Sequence, residues 1–447
     1  MASRQDQLQS YQFAVQRVVA ALVTRQPDPP QPPFRRAAGA ALVGLLLTVL
    51  GIGAMGAYSV LRPGTSGKWR NDRALLVERE TGALFVYRDQ VLHPVLNQAS
   101  ALLILNSPGA PTVVVARSAL AGAPRGQTLG IPGAPSSLPA AGALLRGPWT
   151  VCSTPGGSVL MVGRAAARST PMGDKGMLVS GPGAQTYLLW HGHKHLVRQP
   201  GAVLPALVWS ARPQTAVAQA FLHAVPSGSD LVTPVVPGRG TVVAEGKVGQ
   251  LYGATANGHT DTFLVTTDGL VSVTPLQSAL LLAAPETASV QPGGQLTALS
   301  GRELGLLTGG RATLPFTSDG GGEGALPAVP PELLDAEPRV ACTNGEISTA
   351  AEASDLTGTL RTAAATDSGA VLADQVSVRP GGGALVRTET GVLALVTDLG
   401  RRHVVPDRAT LDALGFAGQE PVAVPSQVLA LLPAGPALDP AAAILPQ

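Results

Sequence analysis

Aromatic residues, charge clusters, catalytic signatures and cysteines are all scarce in this 447-residue chain. Aromatics make up 4% although 45% of the residues are hydrophobic, and there are 53 glycines and 39 prolines, so the apolar matter is mostly Ala, Val and Leu in short runs. That composition suits many short strands broken by turns. The net charge of +2 conceals an asymmetry, because residues 1–36 carry five Arg against Asp6 and Asp28 and the rest is near neutral. No cluster of Lys and Arg large enough to hold a phosphate backbone is present, which argues against a nucleic-acid partner.

Signatures of catalysis are missing too. The nearest approach to a phosphate-binding loop, Thr241 to Val248, has Gly246-Lys247, but its leading Gly240 falls one place early and Val248 has no hydroxyl for Mg²⁺. No Gly-x-Ser-x-Gly elbow occurs and the acidic residues are scattered. The residues therefore yield no catalytic, cofactor-binding or metal-binding set. His191, His193 and His195 alternate as ligands on one strand face would. However, Gly192 and Lys194 make this stretch a turn, and the matching turns of the related segments described below carry no histidine. It reads as an exposed polar loop.

Only Cys152 and Cys342 exist, ending the similar phrases Trp149-Thr-Val-Cys152 and Arg339-Val-Ala-Cys342. They are either two free buried thiols or a pair. If bonded, closing so long a loop is worth about 5 kcal/mol in the chain-entropy model, and the bond would place them outside the cytoplasm.

What is present is one long uncharged run, Ala37 to Leu61, directly after Arg35 and Arg36. About 20 apolar residues cross a bilayer as a helix, so this run predicts a single retained span. A secretory signal is shorter and lies nearer the N-terminus. Gly53 and Ala57, four apart, would let a second helix approach, though glycine is common in membrane helices in any case. Basic residues flank the run on both sides and do not orient it. Before it, Ser3 to Asp6 reads as a capping box for a helix on which Leu8, Tyr11, Val15, Val18 and Leu22 share one face, until Pro27 to Pro33 ends it. Nothing local covers that face, which points to docking on a partner protein or on the inner membrane surface rather than to a helix packed on its own neighbours.

Beyond the run, a strand-strand-strand-helix segment recurs four times, at Leu75–Leu105, Gly176–Trp209, Gln250–Leu282 and Gly383–Phe416. A Pro-x-Gly phrase that reaches a Leu five places after the Pro follows three of them, from Pro124, Pro226 and Pro433; the third segment lacks it. The first two phrases are 102 residues apart, and the strands at Val86 and Leu189 are 103 apart. Matching offsets of this kind mark repeats.

The resulting order is a helix and Pro-rich linker at 1–36, the membrane helix at 37–61 and a linker at 62–73. Repeat 1 follows at 74–135, a first core segment at 136–175, repeat 2 at 176–237 and repeat 3 at 238–289. A second core segment at 290–381 and repeat 4 with a tail at 382–447 complete it. The expected fold is a single-pass membrane protein whose β-rich, elongated α+β domain sets four small repeats around a central core.

The chain resembles the EccB family, the single-span membrane component of type VII (ESX) secretion in actinobacteria. The resemblance rests on the Gln7 to Arg17 helix before a Pro-rich approach, on RALLVERETGALFVYRDQVLHPVLNQASALLIL, on PRGQTLGIPGAPSSLP, on the Trp149 to Cys152 phrase and on VPSQVLALLPAGPALDPAAA. Gln16-Arg17 stands where the family usually has two basic residues. The resemblance implies a cytoplasmic N-terminus and a large extracytoplasmic domain, with a central core and flanking repeats, joined by a Cys152–Cys342 disulfide; self-association of that domain is expected of a structural subunit. It also implies assembly with an EccC-type motor ATPase, EccD and EccE, and contact with a mycosin protease. ATPase activity is assigned to some of the family, yet these residues carry no motif for it.

Overall fold

Four stretches of the chain build small sheets of one internal order in a computed structural model. The structure describes residues 4–24, 33–61, 69–256, 258–310, 313–316, 324–335, 338, 340–350 and 360–447, and the side chains of all these except 23–24, 33–38 and 56–61. Ser3, the prolines of 27–32, the 62–67 linker and most of the Gly-rich loop 320–324 lie outside the described residues. The chain divides into two compact bodies, one of residues 1–70 and 115–122, the other of 71–114 and 123–447.

The first body holds α1 (Arg4–Thr24), α2 (Pro33–Leu61) and a short helix at Arg117–Leu120. Ala20, Trp69 and Leu120 are buried in it.

In the second body each small sheet starts as an antiparallel three-strand meander. The turn between strands two and three of the first sheet is Asp89-Gln90, both at positive φ, and His191-Gly192 takes the same form in the second. Two central residues of positive φ match the twist of the flanking strands, which accounts for this Gly192. Register aligns the sheets residue by residue. Leu75, Val86 and His93 lie opposite one another in the first sheet, Leu178, Leu188 and His195 in the second. Leu251, Leu264 and Val271 do so in the third, Leu385, Leu395 and His403 in the fourth. Val86 thus matches Leu188, not Leu189, and the strand offset equals the phrase offset.

All eight aliphatic members of the first two strands in these rows are buried, each worth about 1.5–3 kcal/mol if fully buried. A helix follows each meander, at Gln98–Leu105, Pro200–Ala206, Pro275–Ala283 and Arg408–Leu411. Asn97, Thr274 and Asp407 cap three of these by accepting from a backbone N–H of the first turn. The second has no side-chain cap and begins at Pro200 after Gln199 in the left-handed region.

Each segment continues beyond the strand-strand-strand-helix pattern. A fourth short strand lies beside the first, at Thr112–Val115, Thr215–Ala216, Thr297–Leu299 and Val422–Ala423. The third sheet also takes Leu314–Pro315, so it extends past residue 289, where the sequence reading ended it.

The two cysteine-bearing stretches share a seven-stranded sheet. Its central strands, Thr150–Thr154 and Val340–Thr343, are antiparallel neighbours flanked by Gly157–Met161 and Ile347–Ala350. One apolar core runs from this sheet (Trp149, Val151, Leu160, Ala341) into the second sheet (Val179, Leu189, Phe221) and the fourth (Val386, Val396, Leu429). A second core joins the first and fourth sheets through Leu75, Val86, Leu385 and Leu395. The third sheet keeps its own small core and meets the second mainly through Leu276 and Leu280 of its helix.

Candidate interaction surface and disulfide-joined core

Helix α1 carries Leu8, Tyr11, Val15, Val18 and Leu22 at spacings of three and four, and all five are exposed, from 43% at Val15 to 79% at Leu22. Phe13, on the opposite side, is exposed as well. Such an uncovered apolar stripe is the surface an amphipathic helix presents to a groove on a partner.

In α2 the described side chains run from Gly39 to Met55, uncharged throughout, with Leu42, Leu46, Leu50 and Ile52 exposed. No helix among the described residues is long and apolar enough to cross a membrane. Gly53 has open space where a Cβ would stand; the side chain of Ala57 lies outside the described set.

Cys152 and Cys342 sit opposite each other on the two central strands of the seven-stranded sheet and are bonded, 190 residues apart in sequence. Both are buried among Val159, Met161 and Val340. The bond ties two chain segments already paired through the strand ladder, so it fixes a register that the apolar pattern also demands.

The recurring Pro-x-Gly phrases prove to be clasps on the outer edge of each third strand. Leu92, Lys194 and Arg402 donate their N–H to the carbonyls of Pro124, Pro226 and Pro433. Gly126, Gly228 and Gly435 then donate to the carbonyls of the same three residues, and Leu129, Leu231 and Leu438 to those of Pro94, Leu196 and Val404. Glycine is required because a histidine ring lies against it. A Cβ on Gly126, Gly228 or Gly435 would come within 2.3, 2.5 or 2.1 Å of Cε1 of His93, His195 or His403. Each ring bonds through Nδ1 to a clasp carbonyl, of Gln127, Ser229 and Pro436, at 3.1, 2.9 and 3.0 Å. A carbonyl only accepts, so Nδ1 carries the hydrogen. Burial pushes the His195 and His403 imidazoles below the usual histidine range.

His195 therefore belongs to a strand and has counterparts in two other sheets; it is not part of an exposed histidine loop. The register shows this, and in the sequence the signal was the phrase offset of 102 residues, which separates His93 from His195 as well. The third sheet has a clasp without the phrase: Phe316 donates to the Ser272 carbonyl as Leu129 does to Pro94. Val271 replaces the histidine there and Thr313 the glycine.

Basic residues before two of the histidines reinforce the clasps. Lys194 Nζ donates to the Leu222 and Val225 carbonyls at the end of helix Gln219–Ala224, and Arg402 Nε to that of Leu432. Burial lowers the pKa of both cations.

Chemistry at the other sequence candidates is sparse. His191 Nε2 lies 2.8 Å from Asp174 and lines a cavity of about 330 Å³ with Glu346, while His193 Nδ1 bonds to the His191 carbonyl. Among the described residues no three His, Cys, Asp or Glu side chains converge as metal ligands would. The near-miss phosphate loop is a hairpin, Val242–Val243 against Gly246–Lys247. A phosphate-binding loop instead joins a strand to a helix whose N-terminus faces the anion.

The family model described as "Type VII secretion system ESX-1, transport TM domain B" matches residues 1–447. The ESX-3 secretion system ATPase EccB3 of Mycolicibacterium smegmatis is 30% identical over 97% of this chain and 88% of its own. The ESX-2 secretion system ATPase EccB2 of Mycobacterium tuberculosis is 28% identical over 92% of this chain and 88% of its own. A chain of an intact ESX-5 inner membrane complex superposes with a TM-score of 0.67 at 25% identity, covering all of this chain and 96% of that one. A chain of an EccB3 dimer from an ESX-3 core complex gives 0.63 at 29% identity, covering 83% and 100%. With a family model spanning its whole length and relatives that share its fold along nearly all of it, the chain belongs to the EccB family of type VII (ESX) secretion.

Proposed function

We propose that the chain is a structural subunit of an ESX secretion membrane complex. The N-terminal helix docks on partner subunits, residues 37–61 anchor the chain as a single span, and the sheet-bearing domain lies outside the cytoplasm and self-associates. In this reading α1 meets an EccC-type motor ATPase, EccD or EccE on the cytoplasmic side, and the four sheets are repeats of one module around the seven-stranded core, within reach of a mycosin protease. Gly53 and Ala57 mark the face of the span that a second helix would approach. The observation that carries it is the uncovered stripe of Leu8, Tyr11, Val15, Val18 and Leu22, in a family whose relatives occur in ESX inner membrane complexes. Deleting residues 1–36 should abolish copurification of the motor and channel subunits with this chain. Unchanged recovery of both would remove the docking role.

Four small sheets with exposed polar turns also support a second reading, binding of the cell envelope. A peptidoglycan pull-down with the full chain that leaves all of it in solution would end that reading. The names of the relatives carry a third, ATP hydrolysis, against which the hairpin at Gly246-Lys247 counts. Lys247→Ala protein hydrolysing ATP as fast as the parent would show that this hairpin takes no part.

A further inference from the structure

Three clasps share one histidine-glycine contact, and their chemistry is asymmetric. His195 and His403 are wholly buried, and His93 is half-buried. In each, Nδ1–H donates to the clasp carbonyl, which leaves Nε2 as the proton acceptor. Nε2 of His195 is buried with no hydrogen-bond partner among the described residues, so an added proton there finds none of them to bond to. Buried charge without a partner is strongly disfavoured.

The charges around each ring do not compensate. Around His195, His193 and Lys194 of its own strand are basic. The one carboxylate of its clasp, Asp230, is held by Arg198 at 2.7 Å, and Trp190 of the neighbouring strand offers a ring. Around His403, Arg402 shares its strand and Arg401 directly precedes that strand. On the helix that follows, Asp407 caps Thr410 and Asp412 pairs with Arg408 at 3.6 Å. In its clasp Asp439 accepts from the Ala441 N–H.

The two clasps hold different things. Leu231 of the second is buried within the core of that sheet. The fourth clasp begins the C-terminal segment 433–447, which puts Leu438 and Ala443 into the core shared by the first and fourth sheets. The same segment ends against the first clasp, where Gln447 donates its N–H to the Thr128 carbonyl. Releasing the fourth clasp therefore loosens the joint between two sheets as well as one edge.

We propose that His195 and His403 make the second and fourth clasps acid-sensitive latches, closed while the imidazoles are neutral and released when they are protonated. The third sheet, with Val271 and Thr313 in place of histidine and glycine, is the insensitive member of the set. Because the folded form holds these rings neutral, the open form takes up the proton first. Closure then weakens as pH falls below the ordinary histidine pKa of about 6.5, by up to about tenfold per pH unit per histidine until the closed form is protonated as well.

Hydrogen exchange of the full-length protein, corrected for the intrinsic pH dependence of exchange, tests this at pH 7.5 and 5.5. Amides of 226–231 and 433–447 should lose about tenfold in protection relative to those of 251–273. Equal responses in all three stretches would overturn the proposal. In His403→Gln, which has an amide donor and no group that titrates in this range, the response of 433–447 should disappear while that of 226–231 remains. A response that survives at 433–447 in this variant would also overturn it. If His403→Gln fails to fold, His195→Gln serves with the two stretches exchanged, and the comparison with the third sheet needs no variant.

Discussion

At the scale of single residues, the sharpest constraint is the absence of a side chain at Gly435. An added Cβ would fall 2.1 Å from the His403 ring, which is pinned by its bond to Pro436 and buried on all sides. Gly435→Ala should destabilise the protein by about 1–3 kcal/mol, as overpacking of a tight core does. Gly142→Ala, with open space at its Cβ, should stay within about 0.5 kcal/mol. Denaturant unfolding of the two variants checks the difference. Lys194 offers a parallel case, because its ammonium satisfies two carbonyls at a helix end. Replacing it by Met keeps the apolar stem but strands those carbonyls, an expected loss of about 1–3 kcal/mol in the same assay.

At the scale of elements, the caps show which parts of the fold the sequence announces. Thr274 and Gln277 form a reciprocal capping box ahead of helix Pro275–Ala283, and Thr274→Ala should cost about 1 kcal/mol, visible as a lower unfolding midpoint. That helix was legible because cap, proline and apolar run are consecutive in the chain. So were the α1 stripe and the three-strand meanders, whose signals are local periodicity and turn chemistry. The fourth strands were not, since Thr215–Ala216 and Val422–Ala423 are two residues long and exist only through pairing with a distant strand. The Pro-x-Gly phrases were visible as recurring phrases, but their purpose was hidden. It depends on a ring about 33 residues earlier, and His195 stands so close to the turn at His191-Gly192 that its place in the strand His193–Leu196 has no local signal. The clasp of the third sheet escaped because Val271 removed the need for glycine and with it the phrase.

At the scale of the whole molecule, the cores divide the second body unequally. The disulfide-joined sheet shares one core with the second and fourth sheets, and the fourth shares another with the first. The third sheet is held by its own core and by Leu276 and Leu280 against the second. A change in the central sheet should therefore spread to the first, second and fourth sheets and leave the third least affected. Replacing Cys152 and Cys342 together by alanine removes a link that closes a 190-residue loop, worth about 2–5 kcal/mol in typical domains. Protection against hydrogen exchange should then fall together in the strands of 150–161, 177–190 and 383–397, since these elements share one apolar core and elements so joined tend to open together. Strands 251–273 should change least. Leu276→Ala should do the reverse, loosening the third sheet from the second by about 2–5 kcal/mol while the central strands keep their protection. If both variants lowered protection evenly across the four small sheets and the seven-stranded sheet, the third would belong to the common core and the division drawn from its apolar contacts would be wrong.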